Sequence, residues 1–301
     1  MHTSVTTVST DRAVAARYLS CLRVPEILLL QGPPLLGLAL AVRHPAAGLL
    51  PALALLVAAG LCLMAHVFLL NDWAGITADL ADPHKAAGAF TAKGVGRSEI
   101  GWLSAVALAL ALFLFSLLGP IPFCLCLSIA ALSALYSLPQ FDWKGRPFFG
   151  TAAHLAGGTL HFLLGYSVGA ALDGRAFAIA TFFALTFAAG HLNQELRDYE
   201  GDARSGVRTS AVTFRPRRAF FASLFLFTLA HADLLSMSLR GTLPLPLAGL
   251  AALYPIHLFW SFQALAQGLS WSSICRLQAR YRALYAIIGL VMVAGALWAK
   301  P

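Results

Sequence analysis

"FAIATFFALTFAAGHLNQELRDYEGDARSGVRT", residues 177–209, joins two chemistries in one stretch. Phe177–Gly190 carries no charge, whereas Asn193–Thr209 holds four acids and three arginines. The whole chain is only 11% charged. An apolar run ended by a burst of charge suits a helix that crosses hydrocarbon and then surfaces in water.

The same alternation recurs along all 301 residues, 59% of them hydrophobic, with a mean hydropathy of +0.75. Soluble globular proteins are ~45–50% apolar and ~25% charged, so an ordinary water-facing surface is excluded. Nine apolar runs approach the ~20 residues that span a bilayer: 26–42, 47–70, 100–118, 120–138, 150–171, 176–192, 217–237, 243–267 and 283–299. The runs are continuous rather than alternating, which excludes a β-barrel. The predicted fold is an all-α integral membrane bundle of nine transmembrane helices over residues 25–301. It follows an N-terminal cytoplasmic or interfacial segment, 1–24, in which Asp11–Arg23 reads as a short amphipathic surface helix. The Thr/Ser-rich first residues do not read as a signal peptide.

With nine spans the loops fall into two sets. Of the 21 Lys and Arg, all but Arg43, Arg175, Arg240 and Lys300 belong to the set that includes the N-terminal tail. The positive-inside rule then places the N-terminus and the charged loops in the cytoplasm, with the bundle in the cell membrane. Loop topology and anion binding account for the net charge of +8, so a nucleic-acid partner need not be invoked. The five cysteines are scattered and suggest neither a metal motif nor a disulfide framework.

Two acidic clusters fall on the charged side. "NDWAGITADLADPHK", after the second run, supplies Asn71, Asp72, Asp79 and Asp82. The opening stretch supplies Glu195, Asp198, Glu200 and Asp202. On helices, Asp72 and Asp79 share a face, as do Asp198 and Asp202. Hard oxygen donors of this kind suit Mg²⁺, which is typically held by one or two carboxylates and substrate phosphates. Lys85, Lys93, Arg97, Lys144, Arg146, Arg204 and Arg208 lie on the same side. Carboxylates ringed by Lys and Arg make a site for a diphosphate, whose departure a metal assists.

At these residues the chain resembles the UbiA superfamily of intramembrane prenyltransferases. That family carries Asn-Asp-x-x-Asp-x-x-x-Asp after its second helix and Asp-x-x-x-Asp after its sixth. Asp198 and Asp202 match the second motif, with Gly201 between them and Gly206 and Thr209 after it; "LYSLP" and "KGRP" (Tyr136 to Pro147) resemble the segment between the fourth and fifth helices. The first motif departs: Asn71, Asp72 and Asp79 align, but Gly75 replaces the middle aspartate and "AFTAKG" replaces an Arg-Pro pair. The resemblance implies that Asp72, with Asn71 and Asp79, holds one Mg²⁺ and that Asp198 with Asp202 holds a second. It makes Asp72, Asp198 and Asp202 the catalytic carboxylates. Lys93, Tyr136, Lys144, Arg146 and Arg208 become the substrate-binding set. It implies transfer of a prenyl group from a prenyl diphosphate to an aromatic or lipid-like acceptor, within membrane lipid, through an allyl cation shielded from water.

Four histidines inside the runs, His66, His154, His161 and His191, are candidates for lining an acceptor pocket or for hydrogen-bonding a neighbouring helix. Two rival functions stand beside transfer. A terpene cyclase of the same superfamily would dispense with the external acceptor, and the altered first motif keeps that reading open. A transporter would place its charges near the bilayer midplane, whereas here they gather at one face.

Overall fold

A computed structural model of the chain describes residues 16–42 and 48–298. Among the described residues every regular element is helical. The helices are α1 (Val24–Leu29), α2 (Gly32–Ala41), α3 (Leu49–Ala81), α4 (Arg97–Leu118), α5 (Pro120–Ser137), α6 (Phe149–Gly169) and α7 (Gly174–Arg204). They continue with α8 (Ser210–Phe214), α9 (Pro216–Leu239), a 3₁₀ stretch Leu245–Leu253 that runs into α10 (Tyr254–Ala266), and α11 (Trp271–Trp298).

Eight stretches among the described residues are long and apolar enough to cross a membrane. Their outward faces are greasy: on α4, Trp102, Val106, Leu110, Phe113 and Leu117 form an exposed stripe at helical spacing. Such a stripe needs lipid rather than water against it. The chain is an all-helical, multi-pass membrane bundle. α6 has the length of a span but is interrupted by His154, His161 and several glycines, and it lies outside that set of eight.

Those glycines place α6 at the centre. A Cβ at Gly165 would stand 1.8 Å from the Pro34 carbonyl oxygen of α2, and one at Gly158 would stand 2.6 Å from the Phe183 carbonyl oxygen of α7. Gly37 of α2 reciprocates against the Phe162 carbonyl of α6 at 2.3 Å. In lipid, where apolar burial drives helix association little, close backbone approach at small residues supplies the packing.

Four departures from the predicted spans have physical causes. The first run bends between α1 and α2 at Leu30–Gln31, just before Pro33 and Pro34. α11 begins at Trp271, so Arg276, Arg280 and Arg282 ride on a helix rather than in a loop. α3 and α7 have 33 and 31 residues, where ~20 suffice to cross hydrocarbon. Their C-terminal turns therefore carry both acidic clusters past the apolar region as helix. Finally, residues 16–19 make one helical turn, and the chain then bends to send Arg23 inward; residues 11–15 of the expected surface helix, Arg43 and Lys300 lie outside the described residues.

The charged segments meet at one end of the bundle. Lys85 reaches Asp198, His84 stacks on Trp271 with ring centroids 4.3 Å apart, and the Phe148 amide donates to Ser210 Oγ at 3.5 Å. At the other end, Arg175 donates to the carbonyls of Leu40 and Thr242, both at 3.2 Å.

Candidate active site

The C-terminal turns of α3 and α7 converge where Asp82 meets Gly201. Asp82 closes α3 and accepts the His84 amide at 2.8 Å. A Cβ at Gly201 would lie 2.6 Å from Asp82 Oδ2 and 2.9 Å from Asp82 Cβ, so only glycine lets the two helices approach this closely. Gly201→Ala is therefore expected to lower the melting temperature in detergent, by about 1–3 kcal/mol of overpacking. Without that contact the same change inside a helix would stabilise by about 1 kcal/mol, so the sign of the shift decides.

Beside this junction lies a mouth of about 390 Å³, lined by Arg23, Asp72, Asp79, Lys85, Lys93 and Asp198 among others, whereas Asp82, Lys144 and Asp202 lie outside its lining. Asp198 is gripped by Arg197 (2.8 and 3.2 Å) and Lys85 (2.8 Å). Lys85 Nζ also stands 3.7 Å from Asp79 and 3.9 Å from Asp82, so one ammonium bridges both clusters. Burial works to lower the Lys85 pKa, but Asp198, Asp79 and Asp202 outweigh it and hold the ammonium above its usual range. Asp72 is paired with the Arg23 guanidinium. Asp202 is buried and makes no ion pair among the described residues.

The sequence-predicted binding groups divide. Lys144 is at the site: a Cβ on Gly75 would face its Nζ at 3.8 Å and Asp79 Oδ2 at 3.9 Å. Lys93 lines the mouth, but its ammonium donates to the Ser20 carbonyl. Tyr136 packs edge-on to His154 and His191, with centroids 5.2 and 5.9 Å away. Asn71 lies half-buried beside Asp72 on α3. Arg146 and Arg208 are exposed and make no ion pair among the described residues, so the structure does not bring them to the carboxylates.

Beneath Asp198 and Asp202 on the same face of α7 come Glu195 and His191, at helical spacing. His191 Nε2 is 3.0 Å from Glu195 Oε1, and its ring stacks on His154 at 3.8 Å. Glu195 accepts the Ala211 amide at 3.0 Å, which ties α7 to the start of α8. Gly150 makes room here, since its Cβ would come within 2.7 Å of His191 Nε2. Two other polar groups inside the spans bridge neighbouring helices. His66 bonds Ser104 across α3 and α4 (2.9 Å to Oγ), and Asn193 bonds Ser223 across α7 and α9 at 2.8 Å.

Sequence reasoning missed Arg23 and Arg197 as partners of the acids, and Glu195 as the partner of His191. The i, i+4 spacing of His191 and Glu195 was the available signal. Arg23 pairs across 49 residues and leaves no local trace.

The donor chemistry here fits Mg²⁺: every acid at the junction offers hard carboxylate oxygens. Yet among the described residues no three His, Cys, Asp or Glu side chains converge as a metal-holding group. Lys85 stands between the carboxylates instead, with Arg23 on Asp72 and Arg197 on Asp198.

A model of the UbiA prenyltransferase family matches residues 32–277. The chain belongs to this family. No curated protein matches it. Among solved structures, a UbiA homologue from Archaeoglobus fulgidus bound to DMAPP and Mg²⁺ superposes with a TM-score of 0.72 at 19% identity, covering 92% of this chain and 99% of that one. The same homologue bound to GPP and Mg²⁺ gives the same values. A structure of digeranylgeranylglyceryl phosphate synthase gives 0.69 at 16% identity, covering 94% and 98%. At these identities the superpositions speak for the fold, and the family match makes the protein a prenyltransferase.

Proposed function

We propose that this prenyltransferase moves a prenyl group from a prenyl diphosphate to an aromatic or lipid-like acceptor, using Mg²⁺ at the junction of α3 and α7. The observation that carries the reading is the meeting of two acidic helix ends, Asp72–Asp82 and Asp198–Asp202, around chain cations at one end of an apolar bundle. The substrates named with the Archaeoglobus structures support it. Asp202 and Asp198, with Asp72, Asp79 and Asn71, are the groups available to hold Mg²⁺, which when bound neutralises charge developing on the departing diphosphate.

The chain's own residues do the rest. Lys85 and Lys144 donate to the diphosphate oxygens as the bond from the prenyl carbon to oxygen breaks and the diphosphate leaves with the electron pair. The prenyl carbon bonds the acceptor, whose proton leaves to the His191–Glu195 pair. The apolar bundle keeps water from the cation, and the Tyr136 ring offers it a π face. α6 crosses as the ninth span, residues 25–301 form one catalytic domain, and the junction faces the cytoplasm of the cell membrane, following the distribution of Lys and Arg.

The test offers purified protein C10, C15 and C20 prenyl diphosphates with Mg²⁺, with and without phenolic and lipid-alcohol acceptors. Acceptor-dependent diphosphate release, with a prenylated product, is expected. Release without acceptor, accompanied by a cyclic product, would assign the chain to cyclisation, the reading that Gly75 keeps open. Silence under every condition would contradict both.

A further inference from the structure

Lys85 Nζ has three carboxylates from two helices around it: Asp198 at 2.8 Å, Asp79 at 3.7 Å and Asp82 at 3.9 Å. That disposition suits a cation shared between the clusters, and here the chain supplies the cation itself. An ammonium tethered on its stem cannot drift away as a solvated ion does. It also keeps these carboxylates from the ~2.0–2.1 Å ligand distances that Mg²⁺ demands.

Gly75 points the same way. Where the family's first motif has a carboxylate, this chain has a gap bordered by the Lys144 ammonium and Asp79, 3.8 and 3.9 Å from the would-be Cβ. Asp72 is taken by Arg23. The first cluster has thus lost one acid, and Asp72, Asp79, Asp82 and, in the second cluster, Asp198 each have a chain cation within 4 Å. A divalent ion there would have to displace Arg23 and Lys85 while facing Lys144. Asp202, buried and without an ion pair among the described residues, is the acid left open.

We propose that Lys85 takes the place of one of the two divalent cations implied by the family's motifs, so that this chain binds a prenyl diphosphate with a single Mg²⁺ at Asp202. The proposal rests on the diphosphate-site reading above. Lys85 then serves as a built-in donor to the leaving group, a single charge where a second metal would bring two.

The test counts metal and ligand separately. Full-length protein in detergent is saturated with Mn²⁺ and geranyl thiodiphosphate, freed of unbound material, and assayed for manganese, for phosphorus and by electron paramagnetic resonance. One manganese per chain with the spectrum of an isolated ion is expected for the wild type. Two are expected for the Lys85→Met, Gly75→Asp double variant, coupled as ions about 3.5–4 Å apart. Lys85→Met alone serves if the double variant does not fold, and it should raise occupancy above one. Two manganese ions in the wild type, or one in every variant, would overturn the proposal and leave the diphosphate site standing. Retention of neither phosphorus nor manganese by any variant would overturn the site reading and this proposal with it.

Discussion

Asp202→Asn is expected to cut Mg²⁺-dependent diphosphate release by about 10²–10³-fold, the usual scale for removing one charge-stabilising group from a site. It should leave the melting temperature where it was. Asp202 is 5% exposed and holds no ion pair among the described residues, and Lys85, whose charge it supports, keeps Asp198, Asp79 and Asp82, so an isosteric amide strands no buried cation. Asp198→Asn differs in kind. It takes a partner from Arg197 and Lys85 together, and a partly buried group left unsatisfied costs about 1–3 kcal/mol. Its activity loss should therefore come with a lower melting temperature. Initial rates at saturating Mg²⁺, read beside thermal unfolding in the same detergent, separate the two. An Asp202→Asn enzyme within threefold of wild type would remove Asp202 from the chemistry.

Gly165→Ala is expected to have the largest effect on the fold. The added Cβ would meet three backbone atoms of Pro34, the nearest at 1.8 Å, and neither helix can yield by rotating a side chain. Overpacking usually costs about 1–3 kcal/mol and occasionally more; a forced separation of α2 and α6 belongs at or beyond the upper end. Gly157→Ala, on the same helix, is the control. Its Cβ would meet only Leu132 Cδ2 at 3.7 Å, an ordinary contact, so it should be neutral or mildly stabilising. Size-exclusion profiles and melting curves of the pair decide. Equal behaviour would mean that the close approach of α2 and α6 does not organise the bundle.

Much of this architecture was legible in the sequence because lipid imposes a length and a composition on each crossing. The apolar runs located the helices, and the two acidic clusters were assigned correctly to the ends of α3 and α7. Where reading by hydropathy fell short, tertiary packing had overridden it. α11 begins at Trp271, charged residues notwithstanding, since Arg280 finds a partner on α10, Gln263. The site was legible as a set of residue types, but its pairing was not. Lys85 with Asp198 spans 113 residues, and no periodicity reports such a contact. Arg146 and Arg208 looked equivalent to Lys144 by charge and by membrane side, yet of the three only Lys144 turns toward Asp79 and the gap at Gly75.

The most direct test of the central claim is an experimental structure of the protein with Mg²⁺ and geranyl thiodiphosphate, whose bridging sulfur resists cleavage. The account predicts diphosphate density between the ends of α3 and α7, touching Lys85 and Lys144, with metal on Asp202 and the prenyl chain running into the bundle toward Tyr136. Diphosphate bound elsewhere, with Lys85 still bridging Asp79 and Asp198 and nothing beside Asp202, would contradict it.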